Sequence, residues 1–185
     1  MSGTLVSSEI AEPYAQALMS LAQQDNLTEQ FGNDCRELET LMEESTEFSD
    51  FVANPIIDAE DKKAVLHRVM GDNANPYFVN FLMLLVDKRR IVFLKDIVAQ
   101  FSALLRKLNN IVLAEVISAQ DLNDGQKQAL VERVKNITEA SDVELKITVD
   151  PELIGGVIIK VGSKVIDASV RGQLRRIGMS LGSVS

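Results

Sequence analysis

The 185-residue sequence is 46% hydrophobic and 25% charged and holds one histidine and one cysteine; it predicts a globular protein in which neither an intrachain disulfide nor a histidine–cysteine metal site can form. Its net charge of −8 is uneven, since residues 1–87 hold 16 acidic and 4 basic residues whereas residues 88–185 hold 11 and 15. The acidic first part argues against nucleic-acid binding there, which needs clustered Lys and Arg; the asymmetry fits either two surfaces for different partners or a solvated acidic helical face.

Residues 1–108 show helical periodicity and predict six helices. In the first helix, we expect the side with the larger apolar residues to face the interior: Ile10, Tyr14, Ala17, Leu18 and Leu21. The opposite side is small, with Ala11, Ala15 and Ala22, and would let a second chain approach closely. The other helices are bounded by capping residues, prolines or Gly71, and they cover approximately residues 27–42, 48–52, 58–70, 76–86 and 94–108.

The periodicity changes in the remaining residues. Four strands are predicted from apolar and β-branched runs, at residues 111–119, 143–149, 157–161 and 165–166. The turn at Gly162 joins the last two as a hairpin, one helix follows Gly125, and another begins near Val170. The sequence therefore predicts an α+β fold, with a six-helix bundle at residues 1–108 and a smaller C-terminal α/β domain at residues 109–185.

No catalytic site is predicted, and no cofactor. His67, the only histidine, lies in a predicted helix and is interpreted as structural or exposed, and Cys35 as a small buried hydrophobe. Gly155-Gly156 precedes a strand and Gly162 lies between two strands, whereas a nucleotide-binding loop would place glycines and a lysine before a helix. These glycines are better explained by a bulge and a hairpin turn.

The sequence also predicts that the chain does not cross a membrane by itself. Residues 1–18 lack the basic start and apolar run of a secretory signal and the Arg-rich bias of a transit peptide. The densest apolar stretch, residues 77–86, is about half the ~20 residues that a bilayer-spanning helix needs. We expect a soluble chain that reaches a membrane only through a partner.

The predicted fifth helix is apolar on every side, because Asn80 is the only polar residue among residues 77–86. Such a helix is either fully enclosed or offers a second face to a partner. We expect Phe78, Phe81, Leu82 and Leu85 to face the bundle interior. A partner groove would then combine the other side of this helix with the small side of the first helix, through Tyr77, Met83, Leu84, Ala11, Ala15 and Ala22.

The last helix poses a similar question. Its apolar residues recur at a spacing of four, three and four, at Val170, Leu174, Ile177 and Leu181. Arg171, Arg175 and Arg176 flank this stripe. The stripe is explained either by packing alone or by a basic-rimmed site for an acidic amphipathic helix.

Three segments resemble one family over essentially the whole chain. AEPYAQALMSLA at residues 11–22 is similar to the A-x-x-Y-A-x-A-L opening of ATP synthase delta subunits and of their mitochondrial relative, the oligomycin sensitivity-conferring protein. VELKITVDPELIGGVIIKVG at residues 143–162 resembles the family signature with its paired glycines. VIDASVRGQL at residues 165–174 resembles the D-x-S-[VI]-[KR]-x-x-L start of the family's last helix.

The resemblance implies a non-catalytic stator subunit that links the catalytic head of the ATP synthase to its peripheral stalk. In that family the first and fifth helices form a groove for N-terminal helices of the alpha subunits, and the C-terminal domain holds b-type stalk helices. It implies no cofactor, no nucleic acid and no obligate homo-oligomer. It also implies a position on the cytoplasmic or stromal side of an energy-coupling membrane, the thylakoid in particular.

Two rival functions are weighed against this. A helical-bundle RNA-binding or transcription factor is disfavoured by the acidic first half and by the scarcity of aromatic residues. A small ligand-dependent enzyme would have to use the glycines of residues 155–162.

Overall fold

The computed structural model describes the backbone of residues 2–71 and 74–182 and the side chains of residues 9–71 and 74–176. The first part is helical, and the six predicted helices are confirmed. A short 3-10 helix at Ile91–Phe93 precedes the sixth. The helices are α1 (Ser2–Gln24), α2 (Thr28–Glu44), α3 (Thr46–Ala53), α4 (Ala59–Met70), α5 (Pro76–Asp87) and α6 (Leu94–Leu108).

Local sequence signals explain where these helices begin and end. The Ser45 hydroxyl accepts a hydrogen bond from the Phe48 amide at 3.1 Å and caps α3. Asn75 does the same for α5 by accepting from the Tyr77 amide at 2.9 Å, with Pro76 in the first turn. Gly71 ends α4 with a φ of 66°, a conformation that glycine adopts without steric cost.

The helices enclose one hydrophobic core. Its largest fully buried side chains include Phe31 of α2, Phe78 of α5 and Phe101 of α6. The rings of Phe31 and Phe78 are tilted at 55° with centroids 5.6 Å apart, a favourable arrangement for aromatic pairs. Because these phenylalanines come from three different helices, the core fixes the position of α5, whose outer side is the main candidate surface.

The second part confirms the predicted α/β pattern. Strand β1 (Ile111–Ser118) is joined by α7 (Asp124–Thr138) to its parallel neighbour β2 (Asp142–Val149), with Ala114 opposite Leu145. On its other side β1 pairs antiparallel with β3 (Val157–Val161), which forms a hairpin with β4 (Lys164–Asp167). The strand order is β2-β1-β3-β4, and the chain continues into α8 (Val170–Gly182).

One face of this sheet forms the second hydrophobic core with α7. Alternation along the strands places Val116, Val143 and Ile159 on the same face, where they are buried together with Val134 of α7. The helix begins at a capping box in which the Asn123 and Gln126 side chains each bond the other's backbone amide. The sheet therefore has one face committed to α7.

The chain divides into two compact units, residues 1–105 and 106–185. The division falls inside the last turn of α6, slightly before the boundary predicted after Leu108. Within the described residues, no helix combines the length and the hydrophobicity that crossing a bilayer requires.

Candidate partner-binding surfaces

The outer side of α5 presents a strip of apolar side chains. Tyr77 is 53% exposed and Leu84 is 45% exposed, while Phe81 between them is half-buried. Their spacing of four and three places all three residues on one side of the helix, and we call them the α5 strip. Met83 is half-buried and lies about 100° around the helix from Leu84, so it does not extend this strip.

Most of the α5 residues that were predicted to face the interior are buried. Phe78, Leu82 and Leu85 are buried, as predicted, and Val86 joins them. Phe81 was expected in the interior and is instead half-buried at the edge of the core. The helix is therefore not fully enclosed, and its surplus apolar surface is the α5 strip.

The prediction for α1 is wrong, because Ala11, Ala15 and Ala22 have no exposed surface and form part of the core. They share one side of the helix with Leu18, and their small side chains let the α1 backbone lie close to its neighbours. Of the side that was expected to face the interior, only Leu18 is buried; Ile10, Tyr14 and Leu21 are half-buried, and Ala17 is exposed. We call this second side the α1 strip; it consists of Ile10, Tyr14, Ala17 and Leu21.

Both strips border the same core. Tyr14 and Leu21 of the α1 strip and Phe81 of the α5 strip each pack against the buried cluster of the bundle. Each strip thus has an anchored edge and an exposed edge. A partner helix that covered either strip would extend the existing hydrophobic core.

The start of α5 contacts polar groups of α2. The Asn75 side chain donates to the Gln30 side-chain oxygen at 3.1 Å while it caps the helix. Asp34 of α2 is buried beside it, and burial raises the pKa of its carboxyl, although a hydrogen bond from the Asn75 backbone acts in the opposite direction. These contacts hold the first turn of α5 against α2, and Asp34 lies at a position that follows the helical spacing of the buried Phe31 and Leu38.

In the C-terminal unit, the start of α8 explains the D-x-S motif. Asp167 accepts hydrogen bonds from the amide (2.9 Å) and the hydroxyl (2.6 Å) of Ser169, whose oxygen accepts from the Gly172 amide at 3.0 Å. Ser169 is therefore the cap of α8, and Asp167 orients it. The Ser169 hydroxyl and amide lower the pKa of the Asp167 carboxyl, helped by Arg176 and Arg175. A methyl group at Gly172 would overlap the same carboxylate.

We expect Asp167→Asn to destabilise the C-terminal unit at neutral pH, since the amide keeps the shape of the carboxylate and loses its charge. The lowered pKa makes this contribution fully present above the ordinary pKa of an aspartate. It disappears as the pH falls through the lower folded-state pKa, so the two proteins should converge in strong acid. Amide hydrogen exchange in β4 as a function of pH measures this, with Asp121→Asn, at an exposed loop position, as the control. A difference that persists in acid would contradict the cap.

The exposed side of α8 carries part of the predicted stripe. Leu174 is 58% exposed, Val170 is 39% exposed, and Arg171 and Arg175 beside them are also exposed. Arg175 lies 3.7 Å from the Asp167 carboxylate, a weak contact that leaves it accessible. The side chains of the other two predicted members, Ile177 and Leu181, lie outside the described residues.

The open face of the sheet is an apolar surface that was not predicted. Opposite the α7 side, Ile117 is exposed and Ile158 is half-buried, and a cross-strand ion pair of 3.0 Å joins Lys160 to Glu115. These residues line a shallow cavity of about 210 Å³. The signal was present, because Leu113 and Ile117 are apolar at positions of β1 that point away from α7.

The residues whose types could suggest chemistry lie in the core, on an exposed helix face or in turns. Cys35 is fully buried in the bundle, which raises the pKa of its thiol and leaves it a poor nucleophile. His67 is exposed on α4. Gly162, with a φ of 56°, forms the turn between β3 and β4, as predicted. Gly156 has a φ of 81° and lies against the backbone of Ala168 and Ser169.

Comparison with known proteins gives consistent results. The family model described as ATP synthase delta (OSCP) subunit matches residues 10–181. The chain is 59% identical to an ATP synthase subunit delta of Gloeothece citriformis, with 100% of both chains covered. It is 58% identical to a subunit delta of a Synechocystis species, over 99% of each chain. A chain in the cryo-EM structure of the Toxoplasma gondii mitochondrial ATP synthase hexamer has a similar fold, with a TM-score of 0.74 and 24% identity, over 92% of this chain and 96% of that one.

Proposed function

We propose, from the premise that this chain belongs to the ATP synthase delta (OSCP) subunit family, that it joins the alpha subunits of the catalytic head to the b-type subunits of the peripheral stalk. The chain is a non-catalytic stator component of the ATP synthase. The relatives give no support to an RNA-binding or transcription role. Each of the two compact units has exposed apolar surface to which a partner can be assigned.

The α1 strip and the α5 strip support a head-binding site in the first unit. The groove that the family resemblance implies between the first and fifth helices would bring the two strips together. A helix bound there would cover Tyr14, Leu21, Tyr77, Phe81 and Leu84, which are large apolar residues that the chain leaves half-buried or exposed. This is helix-in-groove recognition, in which apolar residues at helical spacing supply the affinity. The occupant that the family resemblance suggests is an N-terminal helix of an alpha subunit.

The second unit supplies the proposed contact to the stalk. Leu174 and Val170 form an exposed apolar patch on α8, and Arg171 and Arg175 give it a basic rim. A stalk helix with apolar residues on one side and acidic residues at its edges would match that chemistry. The cap formed by Ser169 and Asp167 holds the first turn of α8 in place for this contact.

The proposed role sets a minimum strength for both joints. One charge moving through 100 mV releases about 2.3 kcal/mol, so several protons per ATP load the stator with an energy on the order of 10 kcal/mol. A nanomolar contact corresponds to about 12 kcal/mol, which is comparable to that load. Two well-packed helix contacts of standard size, roughly 1,600 Å² each, would be sufficient.

The head contact is tested by calorimetric titration of the chain into catalytic heads that lack it. We expect nanomolar affinity for intact heads and loss of most of that affinity for heads whose alpha N-terminal segments have been removed by protease. The cleaved heads must still hydrolyse ATP, which shows that they remain assembled. Equal affinity for the two preparations would contradict the proposed occupant.

For the stalk contact, we expect Leu174→Glu to weaken binding of a soluble stalk fragment about tenfold or more, or ~1.4 kcal/mol. The change removes apolar contact area and places a negative charge where an acidic partner edge would lie. Sedimentation velocity with the full chain measures the complex, and Ile137→Glu, an exposed isoleucine on α7, is the matched control. Loss with Ile117→Glu and not with Leu174→Glu would instead place the contact on the open face of the sheet.

The proposed location rests on the same relatives. Gloeothece and Synechocystis are cyanobacteria, in which the energy-coupling membrane of photosynthesis is the thylakoid. We place the chain on the cytoplasmic side of that membrane, held there by its two partners. Immunogold labelling of thin sections tests this, and label at the plasma membrane alone would contradict it.

A further inference from the structure

Lys62 of α4 is buried without a counter-charge. It is 5% exposed, and its ammonium donates to the Val52 carbonyl of α3 at 2.8 Å. Among the described residues no carboxylate lies within ion-pair distance of it, whereas the next residue, Lys63, pairs with Asp87 at 2.7 Å. The bond to Val52 satisfies one carbonyl at the end of α3 and leaves two ammonium protons for another acceptor. Burial accordingly lowers the pKa of Lys62.

This lysine lines a cavity of about 370 Å³ between the α3–α4 turn and the end of α5. That volume is within the range of small-molecule sites. Apolar residues form much of the wall, a second cation lies at the rim, and one acidic residue is present. The apolar residues used below are Pro55, Ile57 and Val92, and the charged ones are Lys62, Arg89 and Asp58.

The cation at the rim is held in an unfavourable backbone conformation. Arg89 lies two residues after the end of α5 and has a φ of 54°, and its amide donates to the Val86 carbonyl at 2.9 Å. Glycine is the usual residue in this conformation, and a side chain there is sterically unfavourable. The local fold therefore does not require an arginine at this position.

The start of α4 adds a further positive element. Asp58 is its first flanking residue, yet the Asp58 side chain makes no capping hydrogen bond. The first backbone N–H groups of α4 thus point towards the cavity end of the helix without a side-chain cap, where the helix dipole favours an anion.

We propose that this cavity is a binding site for a carboxylate carried on a short apolar stem. Lys62 and Arg89 against Asp58 give the lining a formal charge of +1, which suits a monoanion better than a phosphate dianion. The planar guanidinium of Arg89 can hold both carboxylate oxygens, and Pro55, Ile57 and Val92 accept the stem. The carboxylate belongs either to a free organic acid or to an Asp or Glu side chain of a bound peptide segment. The site shares no residue with either strip and does not depend on the proposed contacts with the head and the stalk.

The test is NMR titration of the ¹⁵N-labelled full chain, following the amides of Lys62 and Arg89. The probes are hexanoate, the uncharged hexanamide, inorganic phosphate, and the blocked peptide acetyl-Leu-Glu-Ala-Leu-amide with its Gln counterpart. We expect saturable shifts with hexanoate or with the Glu peptide, at least tenfold weaker binding of the matching uncharged probe, and weaker binding of phosphate. Tighter binding of the Glu peptide than of hexanoate identifies a partner segment as the source, and the reverse identifies a free acid.

Two variants separate binding from folding. Arg89→Gly relieves the backbone conformation, so its melting temperature should equal or exceed that of the wild type while hexanoate affinity falls at least tenfold. Lys62→Met keeps the buried stem, removes the charge and should abolish the preference for hexanoate over hexanamide. Equal binding of the two probes to the wild type, or unchanged hexanoate affinity in Arg89→Gly, would overturn the proposal, as would phosphate binding more tightly than either carboxylate.

Discussion

Replacing Leu84 by arginine should weaken binding to the catalytic head by at least about 100-fold while the bundle stays folded. Leu84 is nearly half exposed in the free chain, so a long charged side chain there can extend into water without disturbing the core. Under a partner helix the same charge would be buried without a counter-ion and the leucine contact would be lost. Together these effects exceed the ~2.8 kcal/mol that a 100-fold change represents.

Tyr77→Arg should behave in the same way, since Tyr77 belongs to the same strip and is slightly more exposed. The matched control is Val69→Arg on α4, where an apolar residue that is 40% exposed receives the same charge outside both strips. Calorimetric titration gives the affinity, and circular dichroism with thermal melting tests the fold. Wild-type affinity for both strip variants would show that the head does not bind here, and a loss of fold would show that Leu84 is a core residue.

A methyl group at Gly156 should destabilise the C-terminal unit by at least about 3 kcal/mol, because two separate penalties act at that position. The φ of 81° is unfavourable for alanine, and the new methyl would overlap the Ala168 carbonyl oxygen and lie 2.9 Å from the Ser169 Cα. The contacted atoms are backbone atoms in the link between β4 and α8 and cannot rotate away. The change would displace Ser169 and thereby the cap of α8.

Gly162→Ala provides the matched control. Gly162 has a φ of 56° and nothing within 4 Å of an added methyl, so only the backbone penalty of roughly 1–2 kcal/mol applies. Both tyrosines, Tyr14 and Tyr77, lie in the first unit and there is no tryptophan, so intrinsic fluorescence does not report on the second. Hydrogen exchange of the β1 and β3 amides reports on the stability of the second unit. Similar losses in the two variants would contradict the close packing at Gly156.

Sequence periodicity was sufficient to predict the helices and strands. It did not predict which side of α1 is buried. The six helices and four strands were predictable because each carries a clear repeat or a capping residue, such as Asn75 before Pro76. In α1, the residues Ala11, Ala15, Leu18 and Ala22 follow the same four-three-four spacing as the stripe that begins at Ile10. Side-chain size favoured the wrong stripe, and the close approach of neighbouring helices, which a single sequence does not encode locally, selects the alanines.

The remaining surprises depend on contacts between distant residues. Lys62 is buried because a carbonyl ten residues earlier accepts its hydrogen bond. The open face of the sheet had a signal in the apolar Leu113 and Ile117, and the register between β1 and β3 adds the pairing of Lys160 with Glu115. By contrast, the D-x-S motif could be found from the sequence, and the structure supplies its physical reason.

Proton-driven ATP synthesis by depleted membranes tests most directly whether this chain couples the head to the stalk. Vesicles stripped of this subunit should retain ATP hydrolysis by their heads and lose synthesis under an imposed proton gradient. Adding back the wild-type chain should restore synthesis, whereas Leu84→Arg should fail and Val69→Arg should succeed. Full restoration by Leu84→Arg, or no restoration by the wild-type chain on vesicles that still hold a gradient, would contradict the account.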